Sequence, residues 1–208
     1  MDHAPARKLV IACGALAREI TALRQANGWS TLDVKCLPPE LHNRPELIAD
    51  AVREQIRTHR DRYTDIFVAY AECGTRGALD AVLREEGVER IAGAHCYEFF
   101  ASPPVFAALA DAEPGTFYLT DFLLRHFDRL VIQGLGIDRH PELLQTYFGN
   151  YRRLVYLAQA PREESSRQAA DIATRLSLEF QMVCTGYGGL EQGLGAFADG
   201  SRAVKWRA

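Results

Sequence analysis

Hydrophobic residues follow two patterns along this chain: short continuous runs, and longer stretches in which apolar residues recur at helical spacing. Continuous apolar runs rich in β-branched residues are typical of strands buried on both faces of a parallel sheet. Positions three and four residues apart are typical of the apolar stripe of a helix. The predicted strands are 8–12, 32–37, 66–71, 89–93, 115–119, 153–158 and 178–184.

Helical patterns occupy most of the segments between these runs. Pro45 suits the first turn of a helix, and Pro103 with Pro104 predicts a break in another. Thr120 is the predicted N-cap of a helix that follows a strand. The predicted helices are 15–25, 45–62, 77–86, 97–112, 121–130, one opened by Pro141, and 163–176.

Strands that alternate with helices predict the fold class. Such a chain forms a mostly parallel sheet with helices on both faces, a three-layer α/β arrangement of Rossmann-like topology. No linker or low-complexity stretch interrupts the series, and 208 residues are enough for one core. The sequence therefore predicts a single α/β domain over residues 1–208.

Composition excludes several kinds of partner. A formal net charge of −3, with 25% charged and 48% hydrophobic residues, gives no attraction to nucleic acid or to anionic membrane surfaces. The apolar stretch near the N-terminus is interrupted by Arg18 and Glu19 and is too short for a membrane span or a signal sequence. We expect a cytoplasmic protein.

Three of the five cysteines occupy similar places in the pattern. Cys13 and Cys73 follow predicted strands and precede a glycine, and Cys96 lies in a turn after His95. Cysteines that only fill a core lie within elements, whereas ligands of parallel sheets gather at the carboxyl ends of strands. Cys184 also follows a strand, while Cys36 lies inside one and is expected to be structural.

These positions favour one shared thiolate site over separate packing roles, although free cysteine is often simply buried. An odd number of cysteines makes a disulfide framework improbable, and no CxxC pair is present, so a site must be assembled from distant segments. Three thiolates suit zinc with a fourth ligand, for which His95 and His42 are candidates. They suit equally an iron–sulfur cluster with one iron open to a small ligand.

Other segments contain candidate binding or catalytic residues, each of which also has a purely structural explanation or belongs to an alternative function. His42 and Arg44 precede a predicted helix and are candidates for binding an anion there, although Asn43 could simply cap that helix. A metal-free enzyme is another alternative. Cys73 would be its nucleophile, with a pKa lowered at a helix N-terminus, and His95, His42 or His140 its base. The glycine-rich stretch 185–189 is expected to be a ligand loop or a tight turn.

Six motifs in order resemble the DUF1638 family, a domain family of unknown function, over nearly the whole chain. Cys13, Cys73 and Cys96 belong to these motifs, while Cys36 and Cys184 do not, so Cys184 is left out of the predicted site. The motifs are Ala12-Cys13-Gly14-Ala15-Leu16, Leu41-His42-Asn43-Arg44-Pro45, residues 70–80, His95-Cys96-Tyr97-Glu98-Phe99-Phe100, residues 115–122 and Asp138-Arg139-His140-Pro141.

The resemblance implies a setting in methylamine metabolism and corrinoid-linked one-carbon metabolism. It implies a corrinoid or methyltransferase protein as a partner, and leaves open an accessory module that binds without catalysis. Our hypothesis from the sequence is a metal-binding protein in which Cys13, Cys73 and Cys96 hold zinc or an iron–sulfur cluster. His42, Arg44, His95 and His140 are candidates for the fourth ligand or for contact with a small molecule.

Overall fold

The chain forms two compact units, each with its own parallel sheet. A computed structural model describes residues 7–201. Within that range the first unit comprises residues 7–99 and 187–201, and the second comprises residues 100–186. The second unit is therefore inserted between two parts of the first.

The first unit has a four-stranded sheet in the order β2-β1-β3-β4, and all its strands are parallel. Cys13 pairs with Leu37 across β1 and β2, and Ala12 pairs with Ala69 across β1 and β3. The strands are β1 Lys8–Cys13, β2 Leu32–Leu37, β3 Asp65–Ala69 and β4 Glu89–Arg90. The helices are α1 Ala17–Ala26, α2 Ile48–His59, α3 Ala78–Glu86, α4 Cys96–Ala101, whose last two residues belong to the second unit, and α9 Gly188–Ala198.

Both faces of this first sheet are covered. Val68 packs in an apolar cluster with Ile48, Val52 and Ile56, the buried stripe of α2. Phe67 points to the opposite face, since side chains alternate along a strand, and its ring stacks on Phe197 of α9 with centroids 5.2 Å apart. The three-layer arrangement predicted from the sequence is present in this unit.

The second unit has a three-stranded parallel sheet in the order β5-β6-β7. Leu119 of β5 packs in a cluster on one face, and the Tyr118 ring lies 5.0 Å from Phe106 of α5 on the other. The strands are β5 Thr116–Thr120, β6 Arg153–Ala158 and β7 Glu179–Cys184. The helices are α5 Pro103–Ala112, α6 Asp121–Arg125, a π-helical segment Asp128–Gln133, α7 Leu143–Phe148 and α8 Glu163–Arg175.

The predicted elements match this structure closely, apart from shifted bounds such as those of β4 and α2 and three larger differences. Parallel α/β architecture is confirmed, but the strands form two sheets where the sequence predicts one. The predicted helix 121–130 divides, because α6 ends at Arg125 and a π-helical segment follows. The stretch 185–189 is not only a turn, because α9 begins at Gly188. A single domain over residues 1–208 stays a prediction.

One helix cap and the lengths of the helices complete the description. Thr120 caps α6 as predicted, since its Oγ1 accepts a hydrogen bond of 3.3 Å from the Leu123 N–H. No helix within residues 7–201 combines the length and apolar composition needed to cross a bilayer.

Candidate functional site

The three cysteines singled out by the sequence lie at the carboxyl end of the first sheet. Cys13 is the last residue of β1, Cys73 lies in the turn after β3, and Cys96 is the first residue of α4. β1 and β3 are neighbours, and the chain moves outward from them in opposite directions, so the strand order switches between them. Parallel α/β sheets bind their ligands at this point.

Backbone hydrogen bonds extend the sheet beyond β3 and bring Cys73 towards Cys96. The Glu72 N–H donates to the Gly93 carbonyl at 3.0 Å, and the Cys73 N–H donates to the Ala94 carbonyl at 2.8 Å. Since Ala94 is only two residues before Cys96, the two cysteine-bearing segments are held side by side.

The turn after β3 has an unusual backbone. Cys73 and Arg76 have φ values of 51° and 55°, in the left-handed region that costs a residue with a side chain about 1–3 kcal/mol. The Glu72 carboxylate holds this turn, accepting hydrogen bonds from the N–H groups of Gly74 at 2.8 Å and Gly77 at 3.0 Å, and from Thr75 Oγ1 at 2.6 Å. Burial raises the pKa of Glu72, but these donors outweigh it and lower that pKa overall.

The segment after β2 packs against the turns that carry Cys13 and Cys73. A Cβ added to Gly14 would lie 2.7 Å from the Leu37 carbonyl oxygen and 2.9 Å from Pro39 Cδ, so only glycine permits this approach. A Cβ on Gly74 would lie 3.7 Å from Pro45 Cβ. Leu41, between these contacts, packs on the same apolar cluster as Cys13 and Cys73.

The three cysteines are half-buried, and their thiols are desolvated and affect one another. Burial raises the pKa of Cys73 to about 12, with a further contribution from charge on Cys13. The pKa of Cys96 is raised well above the usual value by burial first, then by charge on Cys73 and on Cys13. Burial also raises the pKa of Cys13, to which Cys36 adds. Each of the three sulfurs is therefore close enough to the other two for their charges to interact.

Hydrogen-bond donors near the sulfurs oppose this effect of burial. The Ala15 backbone and the Tyr70 hydroxyl lower the pKa of Cys13. The Ala71 backbone has the same effect on Cys73, and the Tyr97 backbone on Cys96. Such donors favour sulfur in its anionic form.

Two histidines lie close together beside this site. Desolvation lowers the pKa of His42, and the nearby His95 lowers it further because two positive charges would repel. Both residues are exposed at the surface, although the surroundings of the His42 ring are dense enough to desolvate it. Two of the predicted candidate ligands are thus brought together.

Family comparison agrees with the motifs. The model described as "Protein of unknown function (DUF1638)" matches residues 36–194, more than half of the chain. The chain belongs to the DUF1638 family. Cys73 and Cys96 lie within the matched residues of this DUF1638 protein, and Cys13 precedes them. No curated protein matches the sequence.

The remaining candidates have other partners or belong to other elements. Arg44 is exposed, and its Nε donates to Glu46 Oε1 at 2.8 Å. His140 belongs to the second unit, where its Nδ1 lies 3.3 Å from Glu142 Oε1. Cys184 is exposed at the end of β7, also in the second unit. Cys36 lies in β2 opposite Ala12, as expected for a residue within a strand.

Two expectations about helix N-termini are wrong. Asn43 does not cap α2, because it ends one 3₁₀ turn, Pro39–Asn43, and a second, Pro45–Leu47, intervenes before the helix begins at Ile48 without a side-chain cap. Cys73 does not have a lowered pKa, because α3 begins only at Ala78 and burial of the thiol dominates.

Sequence reasoning missed three residues that shape the site. Besides Glu72 and Tyr70, Arg90 supports the turn beside the cysteines, donating from Nε and Nη2 to both carboxylate oxygens of Asp80 at 2.6 and 3.0 Å. Its Nη1 donates to the carbonyls of Ile91 at 2.7 Å and Gly93 at 3.2 Å. A charged residue within the short predicted strand 89–93 was the only signal for it in the sequence.

The thiols are near one another but do not yet form a coordination shell. Within residues 7–201, no three or more His, Cys, Asp or Glu side chains are arranged as a metal site requires.

Proposed function

We propose that this protein binds a metal through Cys13, Cys73 and Cys96, as zinc or as an iron–sulfur cluster, with one coordination position open to a small ligand. The observation that carries the proposal is the convergence of three thiols, from three separate segments, at the switch point of a parallel sheet. Thiolates are the preferred ligands of zinc and of iron–sulfur clusters.

The surroundings of the sulfurs support this proposal. Burial disfavours an isolated thiolate, yet donors from Ala15, Ala71 and Tyr97 lie beside the sulfurs. A bound cation would supply the charge that a buried thiolate needs, and N–H donors would then have anionic partners. The left-handed backbone at Cys73 fits the same proposal, since strain of this kind collects at ligand sites.

His42 and His95 are the candidates for the fourth ligand, because they lie together in the same unit as the thiols. Zinc binds imidazole in its neutral form, and the lowered pKa of His42 favours that form. If neither coordinates, the two rings and Arg44 remain candidates for contact with the small ligand. His140, in the second unit, also stays a candidate for contact with the small ligand.

The family resemblance supplies the proposed setting. A thiolate-bound metal with an open position suits one-carbon chemistry on methylated amines, with a corrinoid or methyltransferase protein as partner. An accessory module that holds the metal without catalysis would use the same three cysteines. The accessory module differs from the proposed site in that its metal would have no coordination position open to added ligands.

A metal-free enzyme with Cys73 as nucleophile is less well supported. It requires an appreciable thiolate fraction near neutral pH, whereas burial raises the pKa of Cys73 to about 12. This alternative expects one fast-reacting thiol whose labelling is lost in Cys73→Ser alone.

The test is elemental analysis with absorption spectroscopy on protein purified without oxygen. We expect near-stoichiometric zinc, or iron with sulfide and a broad visible band, in the wild type. Cys13→Ser, Cys73→Ser and Cys96→Ser should each lose most of the metal. Cys184→Ser is the matched control, because this cysteine is exposed at the end of β7 in the second unit, and it should retain full metal content.

Two results would contradict the proposal. One is wild-type protein that takes up no zinc and assembles no cluster when these are supplied without oxygen. The other is metal that persists in all three site variants, which would place it elsewhere in the chain. Circular dichroism of each variant separates loss of metal from loss of fold.

A further inference from the structure

Tyr70 lies opposite Cys13 across the β1 and β3 strands. The register pairs Ala12 with Ala69, so one further step along both strands sets Tyr70 against Cys13. Register partners in parallel strands point to the same face of the sheet. Both side chains accordingly belong to the same apolar cluster, which also contains Cys73.

The Tyr70 hydroxyl is buried without a hydrogen-bond partner. The residue is 2% exposed, and its hydroxyl oxygen, although near enough to Cys13 to lower the pKa of that thiol, makes no hydrogen bond of acceptable geometry within the described part of the chain. Sulfur atoms lie around it, since charge on Cys13, on Cys73 and on Cys36 each raises the pKa of Tyr70. A buried donor left unpaired is costly, and such groups in folded proteins call for a physical explanation.

The explanation lies in the state of the neighbouring sulfur. A neutral thiol is a weak acceptor, whereas a thiolate is a strong one, and hydrogen bonds to charged acceptors are the stronger kind. A hydroxyl that lacks a partner beside a thiol thus gains one when that thiol becomes a metal-bound thiolate.

We propose that Tyr70 is a positioning residue that donates a hydrogen bond to the Cys13 thiolate when the site is loaded with metal. This inference rests on the proposed function, and it deepens it by assigning the residue that tunes one of the three ligands. The hydrogen bond withdraws electron density from the sulfur, orients it towards the ion, and lowers its tendency to transfer charge to the metal.

The test compares wild-type protein with Tyr70→Phe, which removes the hydroxyl and keeps the ring. The probe is Co(II) alone, added to metal-free protein without oxygen. We expect Tyr70→Phe to bind Co(II) with the same stoichiometry but roughly tenfold more weakly. Its sulfur-to-cobalt charge-transfer band should move to longer wavelength, because a sulfur without the hydrogen bond gives up charge more easily. Tyr118→Phe, which removes a hydroxyl from β5 of the second unit, should leave the affinity and band unchanged.

Thermal unfolding of the metal-free proteins separates positioning from a structural role. Tyr70→Phe should be as stable as the wild type without metal, because the hydroxyl has no partner to lose. Normal Co(II) uptake with an unchanged band in Tyr70→Phe would overturn this inference and leave the proposed function standing. A wild type that shows no cobalt–thiolate band would overturn this inference together with the zinc form of the proposed function.

Discussion

A single missing side chain sets the shape of the thiol site at the residue scale. Gly14 follows Cys13 directly and lets the chain leaving β2 approach it, because any Cβ there would meet the Leu37 carbonyl and Pro39. The recurrence of glycine beside cysteine, visible in the sequence, has a steric cause at this position. Gly14 also has an ordinary negative-φ backbone, so close approach and not turn geometry is the reason for glycine.

Gly14→Ala should therefore destabilise the protein by about 1–3 kcal/mol, the range for an overpacked site. It should also weaken metal binding, since Cys13 would move with the displaced backbone. Gly195→Ala is the matched control, because its Cβ would meet only Trp29 at an ordinary 3.8 Å within α9. The control should raise stability by up to about 1 kcal/mol. Chemical denaturation measures the free energy of unfolding of both variants. Equal values for Gly14→Ala and Gly195→Ala would contradict the steric account.

At the scale of elements, Arg90 connects α3, the end of β4 and the turn after β3. Its pairing with Asp80 ties α3 to the end of β4, and its remaining donors hold the carbonyls of Ile91 and Gly93. The Gly93 carbonyl in turn accepts from the Glu72 N–H. One guanidinium thus links α3 to both segments that carry Cys73 and Cys96.

The pH dependence of the free energy of unfolding tests the ion pair between Arg90 and Asp80. The Arg90 hydrogen bond lowers the pKa of Asp80 below its usual value of 3.8. A carboxyl whose pKa is lowered by folding contributes stability above its unfolded pKa and loses it as the pH falls through the folded value. Wild type should exceed Asp80→Asn by about 0.5–1 kcal/mol between pH 5 and 8, since the Asp80 side chain is 40% exposed.

Urea denaturation at pH 6 and at pH 3 measures the difference, which should shrink at the lower pH. Asp111→Asn, at an exposed position on α5, should change stability little at pH 6. A wild-type advantage over Asp80→Asn that grew below pH 4 would contradict the assignment.

Elements could be predicted from the sequence where their signal is local. The spacing of Ile48, Val52 and Ile56 marked α2, and the apolar run 153–158 marked β6, because each pattern needs only its own residues. α9 was missed because Gly188, Gly189, Gly193 and Gly195 lower its helix propensity. Tertiary packing overrides that propensity, since Gly189 lies close to Phe99.

Much of the site depends on pairings that the sequence does not display. The recurring cysteines were visible because each follows the end of an element. Tyr70 could not be linked to Cys13 without the register of β1 on β3, nor Glu72 to Gly93 without the continuation of that pairing. For the same reason, the division of seven strands between two sheets was not predicted.

At the scale of the whole molecule, the three thiols all belong to one of the two units. Cys13, Cys73 and Cys96 belong to the first unit, while Cys184 and His140 belong to the second. A ligand that binds only the folded state stabilises the parts that hold it, by about 2.7 kcal/mol at a concentration 100 times its Kd.

Zinc should accordingly slow amide hydrogen exchange mainly in the first unit. We expect protection in β1, in the turn after β3 and around Ala94, with little change in β5, β6 and β7. Hydrogen–deuterium exchange with and without zinc, repeated on Cys96→Ser, measures the effect. Equal protection of both sheets, or protection that survives in Cys96→Ser, would contradict binding at the three cysteines.

The order of synthesis has a consequence for a fold in which β1 is tied to α9. Lys8 Nζ donates to the carbonyls of Phe197 at 2.8 Å and Ala198 at 3.0 Å, and Phe67 stacks on the Phe197 ring. A ribosome adds about 5–20 residues per second, so the inserted residues 100–186 take about 4–17 s to make. Throughout that interval β1 to β4 lack the helix that covers part of one face. The nascent sheet is then open to chaperones, and that face is covered only after α9 has been translated.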